Sequence, residues 1–420
     1  MTDTRRHFPA TGRSWSELQA EIRARSAKDV AWKDGRSPVF VFRNDQKTYE
    51  VGRDAFFECF SENALGRLRA FHGIGSMEKD VLDFGLDLFR APAGAGAAFT
   101  SGGSESIFIA VKAARDAYRA RTGADRGTAL NIVVPITVHP AFDKAANGMD
   151  LEMRRAPLRE DRRVDVEAMA ELIDERTILL VGSAPCFPHG VIDPIGELSD
   201  LALAEGIWLH VDACVGGWIA PFFTRNGRPT PDFDFHFPGV RSLSADLHKF
   251  GFCPKPASTV FYRDKADLDR ATFKADAWPS GSFSTATLAG TRPGGAVAGA
   301  WAVLNYLGEE GYRDAARRLA AMVDRYCAGI EAIEGLELWA QPDVSIINFG
   351  SKSLNILAVA DRMVERGWLP GLTKAPRGMH AMLSMLHDGQ ACEDYLRDLR
   401  ASVEEVRLHP EMTSKLEAVY

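Results

Sequence analysis

The residues best placed to do chemistry stand in the run Ser242-Leu243-Ser244-Ala245-Asp246-Leu247-His248-Lys249-Phe250-Gly251-Phe252-Cys253-Pro254-Lys255. A His-Lys pair follows small and polar residues, and aromatics and a glycine follow it. The aromatics are expected to hold this turn against a core, so Lys249 is expected not to be a free surface lysine. A lysine in a partly apolar setting loses some of its preference for charge, and its amine becomes a usable nucleophile. Most lysines are exposed, and one such residue alone decides nothing.

Two other stretches complete the pattern. Ile207-Trp208-Leu209-His210-Val211-Asp212-Ala213-Cys214 reads as a buried strand ending in a carboxylate. In open α/β sheets that end faces the ligand crevice. Phe99-Thr100-Ser101-Gly102-Gly103-Ser104-Glu105-Ser106 precedes a helical pattern from Ile107 to Ala120. Small residues let the backbone approach an anion, and the first N–H groups of a helix are free to bind phosphate. A Ser-Gly-Gly-Ser run is usually just a turn. In the order phosphate cradle, aspartate, lysine, the three suit pyridoxal phosphate (PLP): an anchor for its phosphate, an acid for its pyridinium nitrogen and an amine for its aldehyde.

The elements that must position these residues follow from periodicity. Residues 131–136, 151–156, 178–182 and 207–212 read as strands, with helices expected at 166–175 and 198–205 between them. Strand-helix alternation predicts a parallel sheet covered on both faces. Amphipathic helices are expected at 14–26, with Trp15, Leu18 and Ile22 on one face, and at 76–88. Residues 29–48 read as an arm with a strand or hairpin, and 54–70 as helical. A return strand is expected at 258–262 and a long loop at 271–289. Beyond residue 296 the pattern is helical to about 333; strands at 337–339, 344–349 and 380–386 and a helix at 356–366 make an α+β C-terminal domain. The expected division is 1–60 for an N-terminal arm and helix, 61–300 for a large α/β domain and 301–420 for the C-terminal domain.

Composition narrows the class. A length of 420 residues suits a large domain plus a smaller one, and 46% hydrophobic residues with a net charge of −7 are ordinary for a soluble protein. No basic stripe points to nucleic acid. Six cysteines lie scattered without a Cys-x-x-Cys pair, against a disulfide framework or a zinc site. No 18-residue apolar run or signal peptide is visible.

The segments at 100–106, 181–190, 210–217, 244–255 and 289–295 together resemble the sphingosine-1-phosphate lyase family, PLP enzymes of the group II decarboxylase branch and fold type I. The resemblance runs in order from about residue 30 to 390. It implies PLP held by Ser101, Gly102, Gly103, Ser104, His139, Ser183, Asp212, Ser244, His248, Lys249, Gly290, Thr291 and Arg292. His139 would stack on the pyridine face, and Lys249, Asp212, His139 and Lys255 would take part in catalysis. Substrate contacts would come from Asn63, Arg292, Phe283 and Cys186. Arg292, whose guanidinium suits phosphate, sits in a loop that in the family reaches the neighbouring subunit's site, so a homodimer with shared sites is implied. Its expected partner is a small or lipid-like amine.

Departures stand where the substrate head is expected. Asn63 is kept, but Gly66 occupies the place of the family's His. Phe283 replaces a Tyr, and Cys186 an Asn that would sit near the cofactor's phenolic oxygen; Cys186 reads equally as a small buried hydrophobe. His72 reads as a loop histidine or a substitute for the missing imidazole. Eukaryotic relatives carry a membrane anchor that is not visible here, so a soluble, bacterial-type cytoplasmic form is expected. The implied reaction is retro-aldol cleavage of a phosphorylated long-chain amino alcohol to an aldehyde and phosphoethanolamine. The alternatives are an amino-acid decarboxylase or a lyase for another β-hydroxy amine. A PLP-binding scaffold without activity would be expected to have lost Lys249 or Asp212, and both are present. The base that takes the β-hydroxyl proton is left open among Lys249, Lys255 and a substrate phosphate oxygen.

Overall fold

A computed structural model of the chain describes residues 5–418. The N-terminal segment runs through helices α1 (Trp15–Arg25), α2 (Gln46–Glu58) and α3 (His72–Leu88). Ser14 caps α1 in a capping box with Glu17. The helix expected there forms, but Trp15, Leu18 and Ile22 all remain exposed. Residues 36–45 carry no strand, and helix α2 starts at Gln46, where Asp45 accepts the Thr48 N–H. The helix expected over 54–70 stops at Glu58, and residues 64–66 form one 3-10 turn.

The large domain is built on seven strands: β1 (Gly96–Thr100), β2 (Leu130–Pro135), β3 (Leu151–Ala156), β4 (Thr177–Ser183), β5 (Trp208–Asp212), β6 (Val240–Ala245) and β7 (Ser258–Tyr262). Their order is β1-β7-β6-β5-β4-β2-β3. Strands β3, β2, β4, β5 and β6 pair in parallel; β7 runs antiparallel to both β6 and β1. The sheet is therefore mostly parallel, as the alternating pattern predicts. Both faces are covered: Ile132, Val134, Leu179 and Val181 join one apolar cluster, and Val133, Leu180, Leu209 and Val211 the other. A period of two thus sends successive residues of one strand into two cores, which is why these strands read as unbroken apolar runs.

Helix α4 (Gly103–Thr122) covers the first of those faces with Ile107, Ala110, Val111 and Ala114. Helices α5 (Ala141–Met149), α6 (Val166–Glu171), α7 (Ile195–Glu205), α8 (Ala220–Arg225) and α9 (Lys265–Ala271) follow along the chain. The loop expected over 271–289 contains a small hairpin, β8 (Phe273–Ala275) with β9 (Phe283–Thr285).

Helix α10 (Gly294–Glu331) joins the two lobes, so the expected boundary at 300/301 falls inside it; its one non-helical residue is Gly308, at φ 54°. The C-terminal lobe is an antiparallel sheet in the order β10-β11-β13-β12: β10 (Glu337–Leu338), β11 (Ile346–Gly350), β12 (Gly371–Lys374) and β13 (Arg377–Met382). Helices α11 (Ile356–Glu365) and α12 (Gln390–Leu408) pack with it. Of the strand expected at 380–386 only 380–382 form, as the end of β13, and residues 385–387 make a 3-10 turn; β13 is the second arm of a hairpin whose first arm, β12, has no alternating pattern long enough to announce it.

Candidate active site

Parallel strands end at one edge, and that edge gathers the residues that sequence spacing singled out. Ser183 at the end of β4 pairs with Asp212 of β5, which pairs with Ser244 of β6. Strand β1 points the same way and delivers Ser101 to Ser104 beside them. Past β6 the chain turns, with the Lys249 N–H donating to the Asp246 carbonyl at 3.2 Å and the Phe252 N–H to the Lys249 carbonyl at 2.9 Å. Phe250 and Phe252 are buried, and Tyr312 stacks on Phe252 at 14°. The aromatics do hold this turn against a core, and they fix where Lys249 points.

The charge state of Lys249 differs from the expectation. Its Nζ lies 3.1 Å from Asp246 Oδ2. Burial alone would lower the lysine pKa, but Asp246, with Cys214 and Asp212 beyond it, outweighs burial and raises it above the ordinary value. Burial raises the Asp246 carboxyl, but Lys249 and His248 bring it below the usual carboxylate range. Lys249 is thus an ammonium held by a buried carboxylate. Asp246 was not singled out from the sequence, although it stands three residues before Lys249 on the same turn.

Asp212 is 7% exposed and takes the Cys214 N–H at 3.1 Å and the Ser244 hydroxyl at 3.4 Å, both on Oδ1. Behind it the buried His210 ring contacts Ser242 Oγ at 2.7 Å and Ser244 Oγ at 3.2 Å, and burial lowers its pKa to about 4. His139 accepts the Ala141 N–H on Nδ1 at 3.1 Å. Burial lowers its pKa, and the other charges acting on it include Asp212, Lys249 and Asp246, so it belongs to the same cluster and stays neutral. His248 lies 3.6 Å from Asp246 and accepts the Ala257 N–H on Nδ1; burial lowers its pKa.

The turn before α4 is shaped by close approach. A Cβ at Gly103 would meet Cys214 Sγ at 2.7 Å and both Asp246 carboxylate oxygens at 3.0 Å. Only glycine lets the helix start this near the Asp246 carboxylate. Glu105 Oε2 accepts the Ser101 N–H and hydroxyl at 2.6 and 2.7 Å, and Oε1 takes the Ala289 N–H at 2.9 Å. Glu105, also not singled out from sequence, thereby ties the 289–292 loop to the cradle. Ser101 and Ser104 stay exposed.

Other expected site residues have partners of their own. The Arg292 guanidinium is buried inside its own chain, donating to the Phe99 carbonyl at 2.9 Å and meeting Glu78 Oε2 at 3.4 Å. Glu78 sets a counter-charge against it, while Arg292 Nε is buried without a hydrogen bond. Asn63 caps the 3-10 turn at Leu65 and touches Thr291 Oγ1 at 3.2 Å, acting as a brace for the loop that carries Gly290 and Thr291. Cys186 is buried with Val191 and Ala340, and burial pushes its thiol up to about 12, as suits a small buried hydrophobe. Phe283 packs on Phe273 and Trp278 and lines a separate depression with Phe108 and Gly290. Lys255 donates to the Phe40 carbonyl at 3.0 Å and lines a depression with His248, Phe42 and Phe56; burial, then Lys249, lowers its pKa. His72 is the exposed first residue of α3. Gly66 packs near the Phe71 ring.

A cleft of about 410 Å³ opens at His139 and runs between the lobes. Its lining is chiefly apolar, with Val39, Ile136, Phe187 and Leu372 among it, and includes His189 and His380. His189 stood unremarked within the quoted run 181–190.

Residues 74–352 match the pyridoxal-dependent decarboxylase conserved domain. The sphingosine-1-phosphate lyase of Arabidopsis thaliana is 41% identical over 76% of this chain and 58% of its own length, so the chain spans less than two thirds of that relative. A probable L-tyrosine/L-aspartate decarboxylase of Methanothermobacter thermautotrophicus is 35% identical over 84% of this chain and 93% of that protein. The structure of a sphingosine-1-phosphate lyase from Burkholderia pseudomallei superposes with a TM-score of 0.92 at 32% identity, covering 97% of this chain and 94% of the other.

Proposed function

The chain belongs to the pyridoxal-dependent decarboxylase family, on its sphingosine-1-phosphate lyase branch, and from that premise we propose that it cleaves a phosphorylated long-chain amino alcohol of the sphingosine-1-phosphate type between Cα and Cβ, releasing an aldehyde and phosphoethanolamine. The observation that carries the reading is the join between the charged Lys249 cluster and an apolar cleft at His139. A polar end with an apolar length suits an amine with a hydrocarbon tail.

The family's cofactor is pyridoxal phosphate, and the residues present fit it. Asp246 Oδ1 is buried without a hydrogen bond, Gly103 brings the start of α4 close against Asp246, and Ser101 and Ser104 are exposed at that helix start. Lys249 would hold the cofactor's aldehyde carbon, Asp212 its ring nitrogen, His139 its ring, and Ser101, Gly102, Gly103 and Ser104 its phosphate, with Ser183, Ser244 and His248 supporting them. Bound there, the group supplies an electron sink for the bond broken at Cα.

The chain's own residues do the rest. Asp246 keeps a proton on Lys249 Nζ at neutral pH, which makes Lys249 a proton donor better than a base. Neutral His139 keeps water from the reacting face without adding charge. Asp212, fixed through the Cys214 N–H and the Ser244 hydroxyl, is aimed by β5 and needs no rearrangement to act.

A second copy completes the assembly in this reading. Support comes from exposed Trp15 and Ile22 on α1 and exposed Phe57 and Phe60 at the end of α2, apolar surface that a two-fold homodimer would cover. All six cysteines are free, which suits the cytoplasm, and among the described residues no helix is long and apolar enough to cross a membrane. The deciding experiment gives the purified, cofactor-loaded protein sphingosine-1-phosphate and, separately, tyrosine and aspartate. A long-chain aldehyde supports the reading. Carbon dioxide from an amino acid with no aldehyde replaces it with a decarboxylase.

A further inference from the structure

On the face that β5 and β6 share, Trp208, His210 and Asp212 alternate along one strand, and Ser242 and Ser244 stand beside them on the other. His210 pairs with Ser242 and Asp212 with Ser244. All five are buried. Trp208 Nε1 donates to Ser242 Oγ at 2.8 Å, and an indole N–H cannot accept. The other group on Ser242 Oγ is His210 Nδ1 at 2.7 Å, so the serine proton goes there and Nδ1 is an acceptor. The far end of the chain gives the same answer. Ser244 Oγ lies 3.4 Å from Asp212 Oδ1, and a carboxylate only accepts, so the Ser244 proton is committed to it. Ser244 Oγ can then only accept, from His210 Nε2 at 3.2 Å and from the Cys214 thiol at 3.3 Å. Burial raises the Cys214 pKa well above its ordinary value, so that thiol keeps its proton to give. Burial also lowers the His210 pKa to about 4, with Asp212 opposing, so the ring is neutral and carries one proton. Both ends place that proton on Nε2.

The relay ends on one oxygen. Asp212 Oδ1 takes the Ser244 hydroxyl and the Cys214 N–H at 3.1 Å. No hydrogen bond among the described residues reaches Oδ2, and Oδ2 is not sealed from solvent. Two donors on one oxygen set the plane of the carboxylate and leave the other oxygen for a ligand's N–H. A His210 ring with its proton on Nδ1 would turn a lone pair toward Ser244 and compete with Asp212 for the serine proton.

We propose that His210 is the positioning residue for Asp212: its proton on Nε2 turns the Ser244 hydroxyl onto Oδ1 and so reserves Oδ2 for the ring nitrogen of the cofactor. The inference rests on the proposed function, in which Asp212 meets that nitrogen, and deepens it by naming the residues that aim the acid. His210 acts through Ser244, and Ser242, oriented by Trp208, sets the tautomer of His210.

The test reads the cofactor and needs no turnover. Nitrogen NMR of the protein loaded with pyridoxal phosphate labelled at its ring nitrogen gives the protonated fraction of that nitrogen, and titration gives the cofactor's Kd. His210→Asn keeps an acceptor for Ser242 near the Nδ1 position but has nothing at the Nε2 position. It should lower the protonated fraction and weaken cofactor binding by about 10-fold. His210→Gln puts an amide N–H near the Nε2 position and should recover most of both. Ser244→Ala should match His210→Asn, and the double variant should be no worse than Ser244→Ala alone, because the two residues act through one contact. If His210→Asn does not fold, Ser242→Ala, which removes the donor to Nδ1, goes through the same cycle with Ser244→Ala and the same result is expected. A native ring-nitrogen signal in His210→Asn, or a His210→Asn effect that persists in full beside Ser244→Ala, overturns the inference. Asp212→Ala separates it from the reading beneath it: a native signal there sinks the Asp212 assignment itself, whereas a lost signal there with an unchanged His210→Asn sinks the role of His210 alone. Release of carbon dioxide in place of an aldehyde would replace the proposed cleavage and leave His210 standing.

Discussion

Lys249 and Arg292 are both cations set against a buried carboxylate in the large domain, yet they offer different things. Lys249 meets Asp246 at 3.1 Å beside a turn that leaves Ser101 and Ser104 exposed. Arg292 meets Glu78 at 3.4 Å and the Phe99 carbonyl at 2.9 Å, with both charged side chains under 10% exposed. The first pair is a point charge against one carboxylate, with Cys214 and Asp212 beyond it. The second is a forked cation whose contacts lie within the chain, and Glu78 is shared with Arg67 at 3.2 Å. A cation is available to a ligand only when its surroundings leave donors over, and residue type does not reveal that.

Removing Lys249 should have the largest effect. Lys249→Ala is expected to cut turnover on the order of 10⁴-fold, with borohydride no longer fixing pyridoxal phosphate to the chain. Label found on Lys255 in the native protein would move the site to the depression lined by Phe42 and Phe56.

Breaking the other pair should show in stability. Glu78→Gln leaves Arg292 buried without its counter-charge and is expected to cost about 3–5 kcal/mol in denaturant unfolding. If unfolding is unchanged while substrate KM alters, Arg292 has ligand-facing donors after all and the contrast fails.

Asp212→Ala should leave unfolding near native and lower kcat by about 10²-fold, since the strand stays paired while the acid partner is lost. Native-like turnover would transfer that role to Asp246.

The smallest effect is a shift along the pH axis. Burial lowers the Lys249 pKa and Asp246 raises it, with the net change upward. Asp246→Asn removes the raising contribution, so the pKa should fall and the free amine should appear at lower pH. The rate at which cofactor-free protein takes up pyridoxal phosphate, followed against pH, should move its midpoint down by about one unit or more. An unmoved midpoint would assign the charge balance to Asp212.

Much of the site was legible because its signals are local. The spacing Ser101–Ser104, Asp212, Lys249 fixes three loops on strands that read as apolar runs, and parallel pairing then brings their ends to one edge. Asp246 and Glu105 were equally local but were overlooked: each lies within a few residues of its partner, and a carboxylate three residues before a lysine is also an ordinary surface pattern. Arg292, Cys186 and Phe283 are placed by resemblance at a substrate head, and only packing shows which residues of the chain they touch.

What the sequence determined by itself is the alternation that builds the parallel sheet, the glycines that admit the helix start near Asp246, and the aromatic-flanked turn that carries Lys249. The tertiary structure decided which carboxylate holds that lysine's proton, which carboxylate lies against the buried Arg292 and which nitrogen of His210 keeps a lone pair. The reason is physical: periodicity and turn chemistry are properties of neighbouring residues, whereas protonation and hydrogen-bond direction depend on burial and on partners such as Ser242, 32 positions away from His210 along the chain.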